Sequence, residues 1–419
     1  MHAVSYLNEH VDPLTYPLLF PGADAGWCPD LVAHDGDSRL GICDFYSHRL
    51  MVRSADPSLP HAAGRLFQQY VVDAYCKVES MRLDWVRRNQ DVLRAETLKG
   101  LMDFVAGSDD RAPVDAPGAA TVTTSAPNSN SSCTDASALL RPAGRKGPPA
   151  ADYTGSYDIP LPKAVGKRVF LPSSFYGGAR HMHQCYLDAM ALVARFGKPD
   201  FFLTMTANPK WQEIQSNLRP GEAAHNRPDL VSRVFRQKLR ELMKDLLDDA
   251  VLGTVVAYTY VVEFQKRGLP HVHVLLVMDA KDKPRTAHDI DRLVSAELPS
   301  ITKQKPLREL VERYMVHGPC GELNPHCPCM SGGACSKRYP REFREATVWC
   351  EDGYPLYRRR RCSDETGSPT LTQSGLQDNR WVVPHNPYLL MRFQGHLNVE
   401  ICSSIKAIKY LYKCRCPPS

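Results

Sequence analysis

Residues 253–278, GTVVAYTYVVEFQKRGLPHVHVLLVM, set two β-branched and aromatic runs on either side of a short turn containing Gly268 and Pro270. This pattern predicts an antiparallel hairpin. The segments before it supply what a hairpin needs to bury its apolar face. DLVSRVFRQKLRELMKDLLDD carries Val231, Phe235, Leu239, Met243 and Leu246 at helical spacing. PDFFLTMTANP reads as a strand closed by Asn208-Pro209, and HQCYLDAMALVARFG as a helix ended by Gly197. The fold class is therefore α+β, with a central antiparallel sheet flanked by helices over residues 161–300.

The flanking regions differ in composition. Residues 1–105 predict a helical region in which Leu66, Tyr70, Val71, Ala74, Tyr75 and Val78 recur at helical spacing. Residues 106–160 are rich in Ala, Pro, Ser, Thr and Gly, with few large apolar side chains, and are expected to form a disordered linker. Residues 301–383 are rich in Cys, Pro, Arg and Gly, with little periodicity. Residues 384–419 return to strand-like patterns in RWVVPHNPYLLMRFQGHLNVEIC and end as a helix in SSIKAIKYLYKC. The net charge of +6 permits a nucleic-acid partner without requiring one. No apolar run is long enough to cross a membrane, and the N-terminus lacks a secretory pattern. With no such signal, 14 cysteines point to thiols or metal ligands in a reducing compartment.

His271 and His273 are two apart on a predicted strand, so their imidazoles share a face. Two imidazole nitrogens side by side can bind one divalent ion, although a bare His-x-His is more often a pair of half-exposed histidines. Glu263 and Gln265 share one face of the preceding strand, and either could complete the site. His181 and His183 have the same spacing but fall in a helix, where residues two apart diverge. In the last helix Tyr410 and Tyr412 also diverge, so only one can face a metal. Lys406, Lys409 and Lys413 could hold DNA phosphates there. His317, Cys320, Cys327, Cys329 and Cys335 offer five candidates for the four positions of a tetrahedral Zn²⁺. Arg358, Arg359, Arg360 and Arg361 form a run that can grip phosphates or simply be solvated.

Taken together, these stretches resemble the Rep nuclease region of Helitron transposases, the eukaryotic rolling-circle elements. YPLLFPGADAGW, GKPDFFLTMTANPKW, EFQKRGLPHVHVLL, YMVHGPCG, CSKRYPREF, DGYPLYRRR, WVVPHNP, HLNVEIC and IKAIKYLYKC carry the resemblance. It implies an HUH-type single-strand DNA endonuclease and strand transferase acting on transposon ends, expected in the nucleus. His271 and His273 would be ligands of Mg²⁺ or Mn²⁺, with Gln265 the preferred third and Glu263 or Glu400 the alternatives. Tyr410 would form a 5′-phosphotyrosine. Structural Zn²⁺ would fall on His317, Cys320, Cys329 and Cys335, with Cys327 extra. The family pattern has two tyrosines four residues apart, and Cys414 stands at the second position. Family members continue into a helicase, whereas no Gly-x-x-x-x-Gly-Lys-Ser/Thr occurs in this chain. The expectation is a nuclease region truncated before its helicase, with no nucleotide triphosphate site. The alternative is a catalytically impaired DNA-binding remnant.

Overall fold

In the computed structural model the described residues are 4–33, 36, 38–53, 59–93, 169–265, 268–318, 320–322, 324–350, 354–361, 370–372, 375–402 and 404–412. The expected linker at 106–160 lies outside them. The elements that position the site are helices α1 (Arg65–Arg88) and α2 (Ala179–Phe196), strand β1 (Phe201–Thr206), and helix α3 (Pro228–Leu247). The hairpin β2 (Val255–Phe264) and β3 (Pro270–Met278) follows, then helices α4 (Ala287–Leu293) and α5 (Lys305–Tyr314). A short hairpin, β4 (Met330–Ser331) and β5 (Ala334–Cys335), precedes helix α6 (Pro387–Phe393), strand β6 (Leu397–Ile401) and helix α7 (Lys406–Leu411).

The hairpin forms as expected, within an antiparallel sheet of order β6-β1-β3-β2. Alternation sorts its side chains. Phe201, Leu203 and Met205 of β1, Val272, Val274, Leu276 and Met278 of β3, and Leu397, Val399 and Ile401 of β6 share one core. Helix α3 covers them with Val231, Phe235, Leu239, Leu242 and Leu246, while Met243 packs at the margin. Leu275 points the other way and meets Ala189 of α2 and Ile408 and Leu411 of α7. Helices thus cover both faces of the sheet, but the second face only in part. At the end of β3 that bears the histidines, His271 is half-buried and His273 is buried. Gly197 ends α2 at φ +93°, a conformation glycine adopts without a Cβ penalty.

The N-terminal residues build a separate cluster in which Tyr16, Phe20, Trp27 and Tyr46 pack on Phe67, Tyr70, Ala74 and Val78 of α1. The helix is where the periodicity puts it, but Tyr75 is exposed and Phe67 takes its place on the buried face.

Two stretches depart from expectation. α5 lies in the segment predicted to lack periodicity, and it buries Leu307 and Val311. α6 lies within a stretch with strand-like patterns. Its start is encoded by Asn386, whose side chain accepts from the Leu389 N–H, and by Pro387 in the first turn. An Asn-Pro pair satisfies a helix N-terminus, and here it overrides the alternation. Leu276 is fully buried at the centre of β3. Leu276→Ala should cost about 2–5 kcal/mol, read from the urea unfolding midpoint.

Candidate functional site

Pairing with β1 sets His271 and His273. In that register Thr204 lies opposite His273 and Thr206 opposite His271. Each threonine hydroxyl is 2.9 Å from the Nδ1 of its partner imidazole. The two Nε2 atoms face each other at 3.0 Å. When both Nδ1–H groups donate to threonine, both Nε2 atoms present lone pairs. Two lone pairs at that distance repel unless a cation lies between them or one nitrogen takes a proton. Two cis ligands of an octahedral ion at about 2.1 Å lie about 3.0 Å apart, so the pair has the spacing an ion requires. The threonines escaped sequence reasoning. Their signal is the Thr-x-Thr of FFLTMT, which becomes meaningful only once the register opposite His-x-His is known.

Tyr410 comes to the same place from α7. Its ring centroid is 5.7 Å from that of His273 and 6.4 Å from that of Phe202. Phe202 in turn stacks on His273 at 5.2 Å. Tyr410 is 38% exposed. Tyr412 diverges as its helical spacing predicts. It is half-buried and its hydroxyl is 2.6 Å from that of Thr259 on β2. Burial raises its pKa, a shift the Thr259 hydrogen bond only partly opposes. Lys409 is exposed, while Lys413, Cys414 and the side chain of Lys406 lie outside the described residues.

The three third-ligand candidates sit differently. Glu263 pairs directly with His271 across β2 and β3. Gln265 is exposed in the turn, where its N–H donates to the Leu269 carbonyl. Glu400 pairs with Phe202 at the far side of β1. His181 and His183 fall on helix α2, and His181 hydrogen-bonds the Ser173 carbonyl.

A second cluster gathers His317, Cys320, Cys329 and Cys335, whose ligand atoms all lie within 4.8 Å of one another. Among the described residues it is the one group of three or more His, Cys, Asp or Glu ligand atoms brought together. A two-residue turn makes it possible. Gly332 and Gly333 have φ +60° and +80° between β4 and β5. Positive φ at both central positions is the hairpin turn that Gly-Gly favours, and it folds Cys335 back beside Cys329. Cys327 stays outside the four, its sulfur 3.4 Å from that of Cys329. Burial lowers the His317 pKa, reinforced by Lys337 and Arg341, so the imidazole is held neutral. Burial pushes the Cys320 and Cys329 thiols up. Burial acts the same way on Cys335, but backbone N–H groups of Tyr339 and Lys337 outweigh it and bring that thiol down. A neutral imidazole and three closely set sulfurs can hold a metal such as zinc, which would draw the raised thiols into their thiolate form.

The model of the Helitron helicase-like domain at the N-terminus matches residues 45–276. The chain belongs to this family. The match runs from the N-terminal cluster through both histidines of β3. In this Helitron-like chain the Cys cluster and Tyr410 lie beyond it. Comparison with curated proteins gives no match. Among the described residues, no helix is long and apolar enough to cross a membrane.

The arginine run that follows the Cys cluster of the Helitron-like chain has internal partners. Arg358 reaches Asp291 at 3.1 Å and Glu297 at 3.3 Å. Arg359 is buried and donates to the carbonyls of Ala296, Asn379 and Val382 at 3.3, 2.6 and 2.7 Å. Arg360 grips Glu297 with two bonds of 2.9 and 2.6 Å. Arg361 is exposed, its guanidinium 4.8 Å from the centre of the Phe343 ring. Most of the run therefore ties this segment to residues 291–297 and 379–382, and Arg361 is its exposed member.

Three outcomes are expected. Thr204→Val and Thr206→Val should each weaken Mn²⁺ binding at the histidine pair about 10–100-fold by titration calorimetry, since each releases one imidazole. Metal analysis of the purified chain should find about one zinc, lost in Cys329→Ser and Cys335→Ser. Glu297→Gln should lower the urea midpoint at neutral pH and do so less in acid. Burial raises the Glu297 carboxyl, but hydrogen bonds from Arg360 outweigh this and hold it below the ordinary range. Its stabilisation is complete above the unfolded value of about 4.3 and disappears as pH falls through the lower folded one.

Proposed function

We propose that the chain is an HUH-type nuclease of the rolling-circle kind, which nicks single-stranded DNA and transfers the strand through Tyr410. The observation that carries this reading is the meeting of an exposed phenol with a paired imidazole. Tyr410 packs 5.7 Å from the ring of His273, whose Nε2 faces that of His271 at 3.0 Å.

His271 and His273 would hold a Mg²⁺ or Mn²⁺ ion, with Gln265 the third ligand and Glu263, in register with His271, its carboxylate alternative. Bound there, the ion would polarise a phosphoryl oxygen of the scissile phosphate. Thr204 and Thr206 keep both Nδ1 atoms engaged, so that the two Nε2 atoms stay directed at each other, where one ion could meet both. Phe202 stacks on His273 and limits its rotation. The Tyr410 oxygen attacks phosphorus and its proton passes to solvent. A Tyr–O–P bond forms, the P–O3′ bond breaks, and the departing oxygen takes a proton to become a 3′-hydroxyl. The new phosphodiester keeps the energy of the old one, so attack by a 3′-hydroxyl on the phosphotyrosine rejoins DNA without ATP. The Cys cluster serves as a structural zinc site. Lys409 is an exposed cation that could hold a phosphate, and Arg361 is the exposed member of the arginine run. A chain acting on chromosomal transposon ends would work in the nucleus.

A second reading, a DNA-binding remnant that does not cleave, is favoured by one observation. The phenol of Tyr412, which caps α7, is tied to Thr259, and this leaves Tyr410 as the exposed one of the two.

Incubation of the full chain with 3′-labelled single-stranded DNA and Mn²⁺ should give a covalent adduct on a denaturing gel. Tyr410→Phe should abolish it, His271→Ala or His273→Ala should reduce it severely, and Tyr412→Phe should retain it at a lower level, since α7 loses its tie to Thr259. An adduct that persists in Tyr410→Phe would sink the assignment of the nucleophile. DNA binding without any adduct would support the remnant.

A further inference from the structure

Among the described residues strand β2 ends the sheet, and only β3 pairs with it. From Ala257 onward its odd-numbered residues face the histidine side, where Glu263 pairs with His271 and Val261 with His273. Its even-numbered residues make an unbroken apolar row, Val256, Tyr258, Tyr260, Val262 and Phe264, all of them exposed. Tyr258 and Tyr260 are each 43% exposed and Phe264 is 64% exposed. A continuous apolar row of this length on a solvated face marks a contact surface.

We infer that this row is a stacking platform for the bases of single-stranded nucleic acid. The first reason is ring geometry. The Tyr258 and Tyr260 rings lie 10° from parallel with centroids 6.5 Å apart. Near-parallel rings at that separation, the two-residue repeat of a strand, form an aromatic surface on which planar bases can stack. Phe264 offers a further ring four residues along the same face. The second reason is charge. The row holds no acidic residue that would repel a phosphodiester backbone. The third is position. Phe264 pairs with Pro270, one residue from His271, so a strand leaving the histidine pair around the sheet edge meets this row first. Stacking on aromatic faces tolerates any base, so the row would add affinity without reading sequence. A second copy could also use the exposed edge by strand pairing. The parallel rings suit bases better.

This inference rests on the reading of the chain as a single-strand DNA enzyme, but it needs neither Tyr410 nor a metal. Binding is therefore measured with Tyr410→Phe protein lacking divalent ions, using fluorescent oligothymidylate and an abasic phosphodiester strand of equal length. The protein should prefer the base-bearing strand. Adding Tyr258→Leu and Tyr260→Leu should weaken oligothymidylate binding about tenfold or more and leave abasic binding unchanged. The Tyr258→Phe and Tyr260→Phe pair should bind as the parent does. Phe264→Leu should give a smaller loss of the same kind, and it tests the row if the leucine pair does not fold. Equal affinity for the two strands, or unchanged binding in the leucine variants, overturns the platform. So does a loss shared equally by the abasic strand. A dimer that dissociates in the leucine variants with DNA binding intact assigns the row to a second copy and also overturns it. Failure of adduct formation with the stacking preference intact would count against Tyr410 chemistry alone.

Discussion

The pairing register of β1 with β3 determines what the rest of the site can do. It places Thr204 and Thr206 against His273 and His271, and the core on the opposite face locks it. Phe201, Leu203 and Met205 lie beside Leu276, Val274 and Val272 on the face that α3 covers. A slip of one residue in β3 would turn both imidazoles into that core and expose Val272 and Val274. Burying two imidazoles without partners costs several kcal/mol, about as much as a domain can spare. The apolar face of the sheet thus fixes the chemistry of its polar face.

The site is assembled from distant parts of the chain. Both histidines fall within the family match at 45–276, while β6 and α7 come from beyond residue 384. The residues between leave and return at one place. Ser295 bridges His385, and Val316 bridges Val382, closing the base of the inserted segment. Inside that base, Glu297 and Arg359 hold the segment against its own ends. The Cys cluster stands on this closed base, and His317 N–H donates to the Trp381 carbonyl.

Features carried by local period were legible in the sequence. The hairpin, α2, α3 and the shared face of the histidines follow from spacings of two and of three to four. The divergence of Tyr410 from Tyr412 follows in the same way. Features that depend on contacts remote in sequence were not legible. The threonine partners of the histidines lie 65 and 69 residues away. The arginine run reads equally as a phosphate grip or a solvated face, because its partner Glu297 is 63 residues distant. Spacing alone left five candidates for the Cys cluster. Exclusion of Cys327 rests on the Gly332-Gly333 turn, which brings Cys329 and not Cys327 against Cys335. α6 was hidden for another reason, since its capping signal at Asn386 competed with an apparent alternation.

Helix α7 has only six residues, too few to hold a fixed orientation alone. Ile408 and Leu411 anchor it to Leu275 and α2, and the Tyr412 hydroxyl fixes its rotation against Thr259. Each residue of a helix turns it by about 100°, so one inserted or deleted position between these anchors would swing the phenol at 410 off the histidines. The second tyrosine of the helix therefore acts as an index mark. It sets the angle at which the first is presented, so the placement of Tyr410 beside His273 depends on a hydroxyl bond made on β2.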